Sequence, residues 1–252
     1  MSGPVASRQE TIEWFLTTSK RKGKVPVHKV FVQRPGALPG PGPLARFVTA
    51  GRERGLDLYL LLLLRSAGHP HKVALPAGTW ARALGIATPD TASAALAKQW
   101  RWLADQRLIE RGRRGSWAEV RVLREDGSGT DYPRPGHAGG TWLSLPFAYW
   151  EENWAGRLGL PAKALLLIAL SLLDDFYLPE EKGPPWYGIS PDTVGRGLRS
   201  LKAQGLLTER VLQRKAPGTA QGFTRQHHYT LQPPFGPLGK TSRAAKGGEV
   251  VS

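Results

Sequence analysis

Two segments of the chain are apolar nearly all the way round. GLDLYLLLLLRSAG (55–68) and PAKALLLIALSLLDD (161–175) put leucine on every side of a helix, the pattern of a helix buried in a globular core. The apolar run Leu56–Leu64 is about half of what a bilayer crossing needs. After each comes a second pattern, GIATPDTASAALAKQWRWLADQRLIER (85–111) and GISPDTVGRGLRSLKAQGLLTER (188–210). Each opens on Gly-Ile and then a hydroxyl residue before Pro-Asp-Thr. The hydroxyl caps a helix, proline fits the first turn, and the acid sits at the positive end of the helix dipole. Leu96, Trp100 and Leu103 form one apolar stripe, and Val194, Leu198 and Leu201 form the other. Opposite them lie Thr91, Ser93, Lys98 and Arg101 in the first copy, and Thr193, Arg196, Arg199 and Lys202 in the second.

Strand signals flank both helices. HKVAL (71–75) and FYLP (176–179) are short and strand-like, and LIERGRRGSWAEVRVL (108–123) and LLTERVLQRKAPGTAQGFTRQHHYTL (206–231) each read as strand, turn, strand. AGTWARALGI (77–86) predicts a short helix. Its counterpart PEEKGPPWYG (179–188) is poor helix material, with paired prolines and paired acids. The unit is therefore helix, short strand, short helix, capped helix and two-stranded ribbon, written twice. The copies are offset by 103 residues at Gly85 and Gly188, and by 98 at Leu103 and Leu201, so the first capped helix is longer by about one turn.

Composition shifts mark the boundaries. Residues 1–24 form a basic arm ending in SKRKGK, within which ETIEWFLTT can make a short helix with Ile12, Phe15 and Leu16 on one face. The first unit spans 25–124, a Gly/Pro-rich linker 125–139, the second unit 140–232 and a tail 233–252. The fold class expected is mainly α with small β-ribbons, an α+β chain of two units in tandem.

Charge narrows the partner. Lys plus Arg number 35 against 20 Asp plus Glu in 252 residues, a net +15 that favours a polyanion. The absence of cysteine excludes disulfides and thiolate chemistry. The N-terminus lacks the order of a signal peptide, so the expected location is cytoplasmic and nucleoid-associated, with no membrane partner. No phosphate-binding glycine loop and no His-Glu-x-x-His occurs. His69 with His71, and His227 with His228, offer two ligands each and nothing completes either set. Asp174-Asp175 reads as a helix stop. The expectation is a chain that is not an enzyme, with no cofactor and no metal. Most of the nine Trp sit beside Leu or Phe and read as packing rather than base stacking.

The segment ISPDTVGRGLRSLKAQGLLTER resembles the recognition-helix region of bacterial winged-helix regulators of the MarR and GntR type. RWLADQRLIERGRRG is similar to the helix end and wing of the same superfamily, and the tandem arrangement resembles plasmid replication initiators. The resemblance implies two winged helix-turn-helix domains over about 170 residues and sequence-preferring binding of double-stranded DNA by a transcriptional regulator. A replication initiator of a plasmid or mobile element, bound to repeated origin sites, is the alternative, and a protein–protein adaptor is a second. Base contacts are then expected from Thr91, Ser93, Lys98, Arg101, Thr193, Arg196 and Arg199. Phosphate contacts are expected from Lys20, Arg21, Lys22, Lys24, Arg113, Arg114, Lys202, Arg214 and Lys215. A second copy of the chain and the replication or transcription machinery are the further partners. The acidic residues Asp174, Asp175, Glu180 and Glu181 would repel phosphate if they faced a duplex.

Overall fold

The computed structural model describes residues 5–37, 39–86, 89–133 and 141–236, with the side chains of 89–91 excepted. Thr88 as a cap, the side chain of Thr91, the later linker and most of the tail lie outside the described residues. The first half runs α1 (Arg8–Thr17), β1 (Lys24–His28), β2 (Gln33–Arg34), β3 (Gly40–Pro41), α2 (Leu44–Thr49), α3 (Glu53–Arg65), β4 (Lys72–Ala74), α4 (Ala77–Ala83), α5 (Pro89–Asp105), β5 (Ile109–Arg114) and β6 (Trp117–Val122). The second runs β7 (Trp142–Pro146), α6 (Ala148–Glu151), α7 (Trp154–Arg157), α8 (Leu160–Ser171), β8 (Phe176–Tyr177), α9 (Gly183–Tyr187), α10 (Pro191–Ala203), β9 (Leu207–Lys215) and β10 (Phe223–Leu231). Helices and small antiparallel sheets alternate, an α+β arrangement.

The repeat in the sequence is a repeat in space. In the first half the sheet order is β4-β6-β5, and in the second it is β8-β10-β9. In each, the short strand pairs with the last strand of the hairpin, and the capped helix precedes the hairpin. α5 has 17 residues and α10 has 13, the one-turn difference that the offsets imply. The second copy does form its short helix. Pro184 and Pro185 fall in its first turn, where a missing N–H is tolerated, and Gly188 ends it at φ 65°.

The two copies share one apolar core. β1, at the start of the first unit, pairs antiparallel with β7, from after the linker, with Val25 opposite Leu145 and Val27 opposite Leu143. All four of these side chains are buried, so strand alternation points one face inward. α1 is not a free arm. Ser7 and Glu10 close a capping box, with Ser7 Oγ accepting from Glu10 N at 3.1 Å and Glu10 Oε2 accepting from Ser7 N at 2.7 Å. Ile12, Phe15 and Leu16 are buried, and Phe15 meets Trp80 of α4 edge-on at 5.3 Å. On α10, a Cβ at Gly197 would stand 2.7 Å from Leu165 Cγ and from Pro161 O of α8, so glycine sets how close the two helices lie.

Two ionisable side chains are buried in this core, and the first of them joins the halves. Lys163 of α8 is 1% exposed, and its ammonium donates to Glu53 Oε1 at 2.8 Å and to Asp57 Oδ2 at 2.7 Å, both on α3. Burial raises the Asp57 carboxyl above its ordinary value, and the charge of Lys163 opposes that rise. Glu125, expected at the start of a linker, is fully buried, and its Oε2 accepts from the backbone N–H of His28 at 2.9 Å. Its carboxyl is pushed up to about 8 by burial, against the opposing pull of the His28 N–H and the Arg21 charge.

Replacing Lys163 by Met should cost about 3–5 kcal/mol in chemical denaturation at pH 7, because two carboxylates are left close together and unpaired. The cost should shrink as acid neutralises them. For Glu125, the folded chain keeps a proton that the unfolded chain has lost between the ordinary carboxyl value of 4.5 and about 8. Its contribution to stability is therefore full below that window and is lost as the pH rises through it. Glu125→Gln should flatten the fall in melting temperature across this range. An unchanged pH profile would show that Glu125 is not the group responsible.

Candidate nucleic-acid interface

In the first half, the stripe Leu96, Trp100 and Leu103 of α5 is buried, and Ser93, Lys98 and Arg101 are exposed. The hairpin β5–β6 faces this helix across a cleft of about 680 Å³. Strand alternation sorts its side chains. Ile109, Arg111 and Arg113 stand opposite Val122, Val120 and Ala118, and this face looks toward α5. Glu110, Arg114, Glu119 and Arg121 fall on the other face.

On that outer face the charges are largely used. Arg121 bonds Glu110 at 2.6 Å and Asp131 at 2.7 Å, and Lys72 of β4 bonds Glu119 at 3.0 Å. The two carboxylates hold the Arg121 guanidinium above its ordinary value. Arg111, Arg113 and Arg114 make no ion pair among the described residues. The cleft wall carries Ser93, Trp80, Trp100, Arg111, Arg113 and, at its rim, Trp117, and among the described residues it includes no carboxylate.

The second half builds the corresponding cleft with carboxylates among its cations. About 470 Å³ lies between α10 and the hairpin β9–β10, and its charged lining is Glu180, Glu181 and Glu209 with Arg199, Lys202, Arg225 and His227. Ile109 with Val122 and Leu207 with Leu231 open the two hairpins as buried pairs. Two residues further, Arg111 opposite Val120 in the first becomes Glu209 opposite Tyr229 in the second. Glu209 bonds Lys202 of α10 and lies 2.5 Å from His227 Nδ1. These two partners hold its carboxyl below the ordinary value, Lys202 more strongly. Asp175 pairs with Arg210 on the outer face of the hairpin.

Several expected contact residues stand elsewhere than the sequence suggests. Thr193 is 7% exposed, and its hydroxyl lies 2.9 Å from Ser190 Oγ, which also accepts from Thr193 N at 3.2 Å. It belongs to the helix cap and does not share the outward face of Arg196 and Arg199. Arg196 is exposed and pairs with Asp192 at 3.0 Å. Lys202 is taken up by Glu209. Arg21 is half-buried, and its Nε donates to Leu63 O at 2.8 Å, satisfying a carbonyl at the end of α3. Lys20, Lys22 and Lys24 are exposed, as are Arg113, Arg114, Arg214 and Lys215.

No protein-family model matches the chain, and searches of curated proteins and of solved structures return no match. Among the described residues, no group of three or more His, Asp or Glu side chains is placed to hold a metal ion, and no helix is long and apolar enough to cross a membrane.

Sequence reading missed Arg111, Trp117 and Glu209 as site residues. The signal was present in the alternation IERGRR, which puts Arg111 and Arg113 on the side of buried Ile109. The cap supplies the test here. Ser190→Ala should cost about 1 kcal/mol (0.5–2) in denaturant unfolding and loosen the start of α10. A neutral result would mean that the Ser190 hydroxyl does not hold the helix end.

Proposed function

We propose that the chain is a double-stranded-DNA-binding protein built of two winged helix-turn-helix units, and that it grips DNA with its first unit. The observation that carries this reading is that, of two clefts built on one plan, only the second is lined by carboxylates among the described residues. The first is lined by arginines without ion pairs and no carboxylate, whereas the second sets Glu180, Glu181 and Glu209 among Arg199, Lys202 and Arg225, with Glu209 pairing with Lys202. A phosphate backbone favours the first and is resisted by the second.

In this reading α5 enters the major groove, where a helix fits and residues of its first turns reach base edges. Ser93, Lys98 and Arg101 are the exposed candidates for base contact, with Thr91 by its position. Arg111, Arg113 and Arg114 take phosphates or the minor groove, whose negative potential favours arginine. Lys20, Lys22 and Lys24 add phosphate contacts. The biological role proposed is transcriptional regulation. The second unit supports the first through the shared core, and its acid-lined cleft suits a protein partner better than a duplex.

Selection of bound duplexes from a random pool, followed by affinity against salt, tests this. The expected result is a recovered motif, with log K falling on log salt by about 0.9 for each phosphate contact. Arg113→Ala with Arg114→Ala should lower that slope by about 2 and weaken all sequences alike. Arg214→Ala with Lys215→Ala should leave it nearly unchanged. No motif and no salt-dependent binding would overturn the reading and leave the adaptor. Direct repeats of the motif in the source genome would turn the role to replication initiation.

A further inference from the structure

The hairpin β5–β6 turns through Gly115 and Ser116, and Arg114 stands opposite Trp117 at its end. Gly115 takes φ 62°, the left-handed conformation that a two-residue turn requires. Trp117 is 47% exposed. Exposing an indole without contacts is unfavourable, and the other exposed tryptophan shows how the fold usually avoids it. Trp14 is also exposed, but it packs beside Phe15 at 5.5 Å and under the Arg65 guanidinium at 5.0 Å. Tyr177, 40% exposed, stacks on His228 at 5.7 Å. Trp117 has no ring partner and no cation over its face among the described residues. It stands beside Arg113 and Arg114, two cations that are likewise without ion pairs.

A flat apolar side chain at the tip of a narrow ribbon, flanked by free guanidinium groups, fits one polyanion feature in particular. Arginine is drawn into the minor groove by its potential, and an apolar side chain carried in with it can enter between base steps and partly unstack them. We infer that Trp117 is a minor-groove wedge. The hairpin tip enters the groove beside the bases that α5 contacts, Arg113 and Arg114 lie along its walls, and the indole opens one base step and bends the duplex there. Flexible pyrimidine–purine steps would be favoured at that position without any hydrogen bond to a base, so Trp117 would set specificity through deformability. The second hairpin is not equipped for this. Its inner face carries Glu209 and His227, and its exposed apolar residue, Val211, is small and lies midway along the strand opposite His227.

This inference rests on the proposed DNA binding, and the test separates the two. The full chain is bound to the selected duplex, and the bend is read by energy transfer between dyes at the duplex ends. A 2-aminopurine base at each step in turn reports unstacking. The parent protein should bend the duplex by some 20–90° and brighten 2-aminopurine at one step. Trp117→Ala should abolish the bend and the brightening while the salt slope stays that of the parent, and Trp117→Phe should keep both. Circular dichroism checks that the variants fold, which the exposure of Trp117 favours. A bend and brightening that survive Trp117→Ala, or a parent complex with straight DNA, would overturn the wedge and leave DNA binding standing. Absence of any salt-dependent duplex binding by the parent would overturn both.

Discussion

The structure turns on one buried ammonium. Lys163 is almost wholly buried, and it is tolerable there because Glu53 and Asp57 both accept from it. Those carboxylates stand one turn apart on α3, the opening helix of the first copy, and Lys163 stands in the opening helix of the second. A charge that must meet its partners fixes the rotation and the height of one helix against the other more strictly than leucine against leucine would. Once α3 and α8 are set, the elements of each copy pack outward from them. α10 closes on α8 over Gly197, and β1 reaches across to pair with β7. The two repeats behave as halves of one core, and their outer faces are held in a fixed relation.

That fixed relation gives the difference between the two hairpins its meaning. The pairing register is the same in both, so one residue type can be exchanged for another at the same place without moving the backbone. With a side-chain period of two, Arg111 and Glu209 occupy matching positions on the faces that look toward α5 and α10. An arginine there adds to a cationic cleft, and a glutamate there consumes Lys202 and draws in His227. The same frame thus presents one face suited to a polyanion and one where carboxylates stand among the cations. The proposed division of labour between two winged helix-turn-helix units follows from this substitution, and the net charge of +15 alone would not reveal it.

Much of the frame was legible in the sequence. The all-round leucine pattern gave the two buried helices, the Ser-Pro-Asp-Thr signature gave the start of α10, and the one-turn difference between α5 and α10 followed from the offsets. What local pattern could not give was any feature that depends on distant residues. Glu125 reads as linker because its neighbours are Asp, Gly and Ser, yet the backbone N–H of His28, 97 residues away, draws it into the core. α1 reads as an arm because its polar residues outnumber its apolar ones, and only the surface of α3 and α4 explains its burial. Thr193 faces outward on an ideal helical wheel, but the cap bends its hydroxyl back to Ser190. At the candidate interface, exposure of Ser93, Lys98 and Arg101 was foreseeable from the buried stripe of α5. The neutralisation of Lys202 by Glu209 was not, since it joins a helix to a strand through tertiary packing.

In the proposed function the first copy, and not the second, meets the duplex. Hydrogen–deuterium exchange on the whole chain, with and without a saturating random-sequence duplex at low salt, addresses it without knowledge of the site. Slowed exchange is expected in residues 93–101 and 109–122, with little change in 193–203 and 207–231. Protection confined to α10 and its hairpin, or equal protection of both copies, would contradict it.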